Sequence, residues 1–276
     1  MTLSVNTNVA SLNAQNALQA SQSRLNTSLL RLSTGLQINS AGDNPAGLVT
    51  SSLQASQISG LTQSIQNIQT GAALSQTADS SLANINNLLV QVRTLAANSA
   101  NTATQSTASL AANQASATAL LSSIDNIAAT TKFGTVNLLD GSFTAAQFQT
   151  GAFSGQTASL TIAASDSTTL GVNGIDLTTA AGATAALTAI DAAISTVATA
   201  RGNIGSFISG TLNATKDNNQ SQLTNLQQAQ SLLTDTNYQT EIANYTSENI
   251  RQQAASTVLG FANQSNQSII SLLRGQ

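Results

Sequence analysis

Histidine, cysteine and tryptophan are absent from all 276 residues, and proline occurs once, at Pro45. The missing cysteine excludes disulfides and thiolate metal sites, and the missing histidine removes the commonest general base and metal ligand. Charged residues make up 7% of the chain and aromatics 3%, where globular domains carry about 25% charged residues. Eight basic residues, scattered singly, offer no phosphate-binding patch, so nucleic acid is not expected as a partner. No stretch approaches about 18 uninterrupted apolar residues, and membrane insertion is not expected either. The opening residues MTLSVNTNVASLNAQNALQASQ lack the basic region and apolar run of a cleavable secretory signal. A cytoplasmic protein, or one exported by a route that reads no such signal, is the expectation.

The chain draws its polarity from Ser, Thr, Asn and Gln and its apolar bulk from Leu, Ile, Val and Ala. With 41% apolar residues and a formal net charge of -3, it does not have the composition of a disordered chain. A core without large aromatics suits helices in close contact. Low charge also lets copies of one chain crowd together without strong repulsion.

Leu25, Leu29, Leu32 and Leu36 step by four, three and four, continuing the rhythm of Val5, Val9 and Leu12. This predicts a narrow apolar stripe on a first helix. Ile58, Leu61, Ile65, Ile68 and Ala72, then Ala78, Leu82, Ile85, Leu89, Val92 and Ala96, predict a long second helix from Pro45 to about Ala97. A helix of that length needs a partner along it, in a coiled coil or bundle. A shorter helix is expected from Ser109 to Ala129. The glycines and short alternating runs of FGTVNLLDG and FQTGAFSGQTASLTIAA predict small strands or hairpins within residues 131–182. Helical spacing returns at Ala183 and continues through Ile204, Ile208 and Leu212 to Leu233. After a break at TDTNYQT, the last helix carries Ile250, Val258 and Phe261, then Ile269, Ile270, Leu272 and Leu273. The expected fold class is mainly α: an elongated antiparallel helical bundle or coiled coil with a small β-hairpin region. Its N- and C-terminal helices pair with each other or with copies, because a narrow stripe does not hold a helix alone in water.

Catalytic chemistry has little to work with. Glu241 and Glu248 are seven apart and can share a helix face, but no histidine or cysteine accompanies them, and a solvated or interface face is the plainer reading. No GxxxxGK[ST] loop is present. No enzyme activity, cofactor or metal site is expected. In NSAGDNPAGL, residues 39–48, Asp43 or Asn44 is the candidate helix cap, with Pro45 at the first helical position.

The segments SVNTNVASLNAQNAL (4–18), LLRLSTGLQINSAGDNPAGLVTSSLQ (29–54) and TDTNYQTEIANYTSENIRQQAASTVLGFANQSNQSIISLLRG (234–275) resemble bacterial flagellin, the subunit of the flagellar filament. SSIDNIAATTKFGTVNLLDG and FQTGAFSGQTASLTI in the middle are similar to the same family, so the resemblance spans nearly the whole chain. It implies an N-terminal helix (1–40) and a C-terminal helix (234–276) forming the inner coiled coil around the filament channel. A rod-shaped helical domain (41–233) would surround them, its hairpin region at 131–182, in a short form lacking separate outer domains.

By the same resemblance, Leu25, Leu29, Leu32, Ile250, Val258 and Phe261 hold the inner layer, and Asp43, Asn44 and Pro45 form the connector to the rod. The implied protein self-assembles into a helical filament for swimming motility. It is extracellular, leaves the cell by type III export, and has an export chaperone, a filament cap and hook-junction proteins as partners. A hook-filament junction protein, similar to flagellin at both ends, is the alternative within the flagellum, and a helical scaffold is the alternative outside it. The family's contact with an animal innate immune receptor maps to LVQVRTLAAN, where Arg93 and Leu95 are retained. Gln91 and Ser116 stand where strongly recognised members carry arginine and glutamate, which implies weakened recognition.

Overall fold

A computed structural model describes residues 7–101 and 103–275, except for the side chains of 266–274. Val5, and the side chains of Ile269, Ile270, Leu272 and Leu273, fall outside what is described. Helix α1 spans Val9–Thr34, α2 Pro45–Ser99 and α3 Thr107–Thr130. Two antiparallel hairpins follow, β1 (Lys132–Phe133) with β2 (Val136–Asn137), and β3 (Ala146–Gln149) with β4 (Thr157–Leu160). Helix α4 (Ala180–Ser206) runs through a π-helical turn (Phe207–Asn213) into α5 (Ala214–Thr234), and α6 spans Tyr238–Arg274.

The chain divides into two compact units, residues up to Ser56 together with those from Asn225, and Gln57–Thr224. In the second, Leu82, Ile85, Leu89 and Val92 of α2 form one core with Ala117 and Ile124 of α3 and Ile190, Val197 and Ile204 of α4. Leu138, Leu139, Val172 and Leu177 close it from the connecting segments. These side chains recur at steps of three and four, so each helix buries one stripe. Small alanines at Ala78, Ala96, Ala117, Ala183 and Ala186 let the helices come close where no aromatic fills the gap. Ala180–Thr234 has the length and hydropathy to cross a membrane, but its apolar side chains Ile190, Val197, Ile204 and Leu212 lie in this core.

Polar side chains hold the connections. Gln114 of α3 donates to the Ile175 carbonyl (3.1 Å) and accepts from the Leu177 amide (2.6 Å). Asp125 accepts from the Ser167 amide (2.7 Å) and hydroxyl (3.0 Å). Inside the fold, the Asn219 amide donates to the Ser64 hydroxyl (2.9 Å) and the Thr150 carbonyl (2.7 Å). Asn219 is 4% exposed, and without these partners its amide would lose water with nothing in return.

The expected Ile204, Ile208, Leu212 stripe packs on the core, but the backbone beneath it leaves the α-helical path. Ile204 and Phe207 are buried, Ile208 is half-buried, and the next buried position is Leu212, five residues after Phe207. Over Phe207–Asn213 the chain widens into the π turn. Phe207 packs there against Phe148 of β3, ring centroids 5.8 Å apart. Beyond the π turn, Leu212 and Asn219 remain on the buried face.

Leu82 is fully buried in this core, so Leu82→Ala is expected to lower unfolding stability by about 2–5 kcal/mol, read as a lower denaturant midpoint with an unchanged slope.

Candidate functional site

Helix α1 begins under Asn8, whose side chain accepts from the Ser11 amide (3.0 Å). It stops at Gly35, which adopts φ +73° and donates its amide to the Arg31 carbonyl (2.9 Å). Only glycine takes that left-handed conformation without strain. Here a Cβ would also lie 3.2 Å from the Tyr238 hydroxyl. The reversal lets Leu36 bridge to Asp235, with the Gln37 amide donating to the Thr234 carbonyl (2.6 Å) and the Thr236 amide to Gly35 (2.8 Å). Asn237 then caps α6. The two terminal helices therefore pack antiparallel along their length.

The face they share is not the stripe of large apolar side chains. On α1 the covered positions include Ser11, Ala14, Leu18, Ser21, Leu25, Ser28 and Leu32, at steps of three and four, with Thr27 and Arg31 half-buried beside them. On α6 they are Glu241, Tyr245, Glu248, Gln252, Ala255, Leu259 and Ala262. Of the expected inner-layer residues, Leu25 is buried and Leu32 half-buried in this seam. Leu29 is 52% exposed, Ile250 61%, Val258 55% and Phe261 66%. Val9, Leu12, Leu30 and Ile242 are exposed as well. The sequence stripe merges two faces: Leu25 and Leu32 point into the seam, whereas Leu29 points out.

Hydrogen bonds and ion pairs run along the seam. Asn8 donates to the Ala262 carbonyl (2.9 Å), Ser11 to Asn263 (2.9 Å), and Gln252 to Gln22. Ser21 donates its hydroxyl to the Glu248 carboxylate (2.8 Å). Arg24 (3.6 Å) and Arg251 (3.1 Å) flank the same carboxylate, and Arg31 lies 4.0 Å from Glu241. Glu241 and Glu248 are only 6% and 9% exposed. The Ser21 hydroxyl, and then the Arg251 and Arg24 charges, hold the Glu248 carboxyl below its ordinary pKa against the opposing effect of burial.

The connector resolves the choice of cap. Asp43 accepts from the Asn39 (3.1 Å) and Ser40 (2.8 Å) amides and the Ser40 hydroxyl (3.0 Å), closing the turn before the helix. Those bonds, Asn39 first, lower its pKa. Asn44 is the N-cap of α2, accepting from the Gly47 amide (2.9 Å), and Pro45 occupies the first helical position. A Cβ on Gly47 would meet Ile38 at 2.7 Å and Asn44 at 2.6 Å, so this glycine fits the helix start onto its own connector.

In the other unit, Gln91, Thr94, Leu95, Ser116 and Leu120 line one groove between α2 and α3. Arg93 turns the other way. Its Nε donates to Asp191 Oδ1 (2.5 Å) and its Nη2 reaches Oδ2 (3.4 Å). The hydrogen bond that Arg93 donates to Asp191, then the Asp191 charge, raises the Arg93 pKa, while Arg93 lowers that of Asp191. Sequence spacing did not indicate this partner, which lies 98 residues away. Among the described residues, no group of three or more Asp or Glu side chains could hold a metal ion.

The family model for the bacterial flagellin N-terminal helical region matches residues 5–144, and that for the C-terminal helical region matches residues 187–273. The chain is 34% identical to the flagellin of Bacillus subtilis (strain 168), covering 98% of this chain and 99% of that one. A B-type flagellin of Pseudomonas aeruginosa is 43% identical over 171 residues, but the match spans only 35% of that protein's length. A crystal structure of Bacillus cereus flagellin matches with a TM-score of 0.50 at 28% identity, over 56% of this chain and 88% of that one.

Because its folded pKa is depressed, Glu248 contributes stability above the ordinary glutamate pKa and loses that contribution as pH falls through the folded value. Helix content followed by circular dichroism should decline as pH falls below the ordinary value of 4.5, and less steeply in Glu248→Gln. Superimposable profiles would refute a role for this carboxylate.

Proposed function

The chain belongs to the bacterial flagellin family and is a self-assembling subunit of the extracellular flagellar filament of swimming motility; beyond this, we propose which of its surfaces do the assembling. Residues 1–40 and 234–276 form the inner, channel-lining layer, and residues 41–233 the surrounding rod, with the connector Asp43, Asn44 and Pro45 setting where the rod helix starts. One observation carries this reading: α1 and α6 pair through a seam that mixes serine, alanine, glutamate and glutamine with Leu18, Leu25, Leu32, Tyr245 and Leu259, while Leu29, Ile250, Val258 and Phe261 remain uncovered. Side chains this apolar on the outer sides of a helix pair suit a position surrounded by other helices. Identical neighbours in a helical polymer supply them, because heterologous contacts that do not close generate an open filament.

An export chaperone that covers these faces before assembly, and cap and hook-junction proteins that meet them at the filament ends, are partners of the chemistry this surface offers. Recognition by the innate immune receptor is weak in this reading. Gln91 and Ser116 present neutral groups in the α2–α3 groove beside Leu95, and the Arg93 guanidinium is already engaged by Asp191.

Leu29→Ala and Phe261→Ala remove side chains that the single chain leaves exposed. Each should change the stability of the free chain by less than about 0.5 kcal/mol yet sharply reduce filament growth from seeds in electron micrographs; normal filaments would overturn the assignment. Purified monomer at nanomolar concentration should stimulate the receptor poorly, and strong signalling would refute that part.

A further inference from the structure

Every charged side chain described in α1 and α6 lies in one cleft: Arg24 and Arg31 from α1, and Glu241, Glu248 and Arg251 from α6. The rungs Arg24–Glu248 and Arg31–Glu241 advance by seven residues on one helix as they retreat by seven on the other. This is the register of an antiparallel coiled coil written in charge.

Apolar packing does not specify this arrangement. Along α1, Leu18, Leu25 and Leu32 repeat at seven residues, as do Ala14, Ser21 and Ser28, so the seam looks nearly the same after a one-heptad slip. Nor does apolar burial decide the rotation. Turning α6 back by one residue position, about 100°, would bring Ala254, Val258 and Phe261 toward the seam in place of Ala255, Leu259 and Ala262. The backbone bridge between Leu36 and Asp235 fixes one end of the pair. It lies outside both helices, beyond Gly35 and before Asn237, and does not set how α6 is turned further along. The guanidinium groups do, because a carboxylate moved away from them loses its partners and one left in the seam without them is a buried unpaired charge.

We infer that the Arg24–Glu248 and Arg31–Glu241 rungs set the rotation of α6 against α1 and thereby position Leu29, Ile250, Val258 and Phe261 for neighbouring copies. The inference rests on the reading of those outward side chains as assembly surface. The four charged residues are positioning residues: they act through the faces they turn outward.

The absence of cysteine from the sequence permits a direct test. Gln22 and Gln252 touch across the seam, and Q22C/Q252C chains treated with a short bis-maleimide should link within one chain, as mass spectrometry of the seeded polymer would read. Adding E248R should lower the intrachain yield and the rate of seeded growth by at least about tenfold, since a guanidinium would then face Arg24 and Arg251. The swap R24E/E248R should restore both to within about threefold. E248Q, which keeps the shape and removes the charge, should fall between and supplies polymer for cross-linking if E248R yields none. Yields indifferent to these changes, or no recovery in the swap, would overturn the ladder. Cross-linking that follows the charges while growth does not would instead overturn the reading of the outward faces as assembly surface.

Discussion

Two carboxylates, Glu241 and Glu248, lie on the closed side of the terminal helix pair, while isoleucine, valine and phenylalanine lie on its open sides. A lone pair of helices in water would favour the reverse, since apolar area removed from water stabilises by about 25 cal/mol per Å² and buried charge costs several kcal/mol unless paired. The arrangement holds because Arg24, Arg31 and Arg251 stand over those carboxylates and Ser21 completes the hydrogen bonding of Glu248. Its consequence is a helix pair whose stabilising apolar contacts are left to be made with other molecules. A filament subunit needs that property, because contacts satisfied within the chain cannot also drive growth.

The unit made of Gln57–Thr224 solves a different problem. Its core is aliphatic and complete within the chain, with Leu82, Ile85, Leu89, Ile124, Ile190 and Ile204 fully buried. Inside it the buried Asn219 amide bonds Ser64 and Thr150, and the half-buried Gln114 bonds the backbone of Ile175 and Leu177. The core stays closed across the π turn at Phe207–Asn213, with Phe207 and Leu212 both buried. Self-sufficiency here and incompleteness in the terminal pair are two answers to the same shortage of aromatics and charge. Close-packed alanines suffice where three helices meet, whereas two thin helices cannot bury enough surface on each other.

Composition and spacing made much of this legible. The helix boundaries near Pro45, Thr107, Ala180 and Tyr238, the hairpins after Lys132 and the pairing of the chain ends all follow from local rules. Apolar periodicity, turn glycines and one proline act within a few residues of where they stand. The Asn44 cap and the turn closed by Asp43 were within reach for the same reason, although choosing between them required knowing which carbonyl oxygen faces which amide.

What the sequence by itself determined, then, is the set of helices and their polarity, together with the scarcity of charge that lets copies crowd. Tertiary structure decided which face of each terminal helix turns inward. A stripe read from spacing assigns Leu25, Leu29 and Leu32 to one side, and only the opposing helix separates the first and last from the middle one. It also decided that Glu241 and Glu248 are not solvated and that Arg93 belongs to Asp191, 98 residues away. Burial and ion pairing depend on what lies across the gap, and no local pattern carries that information.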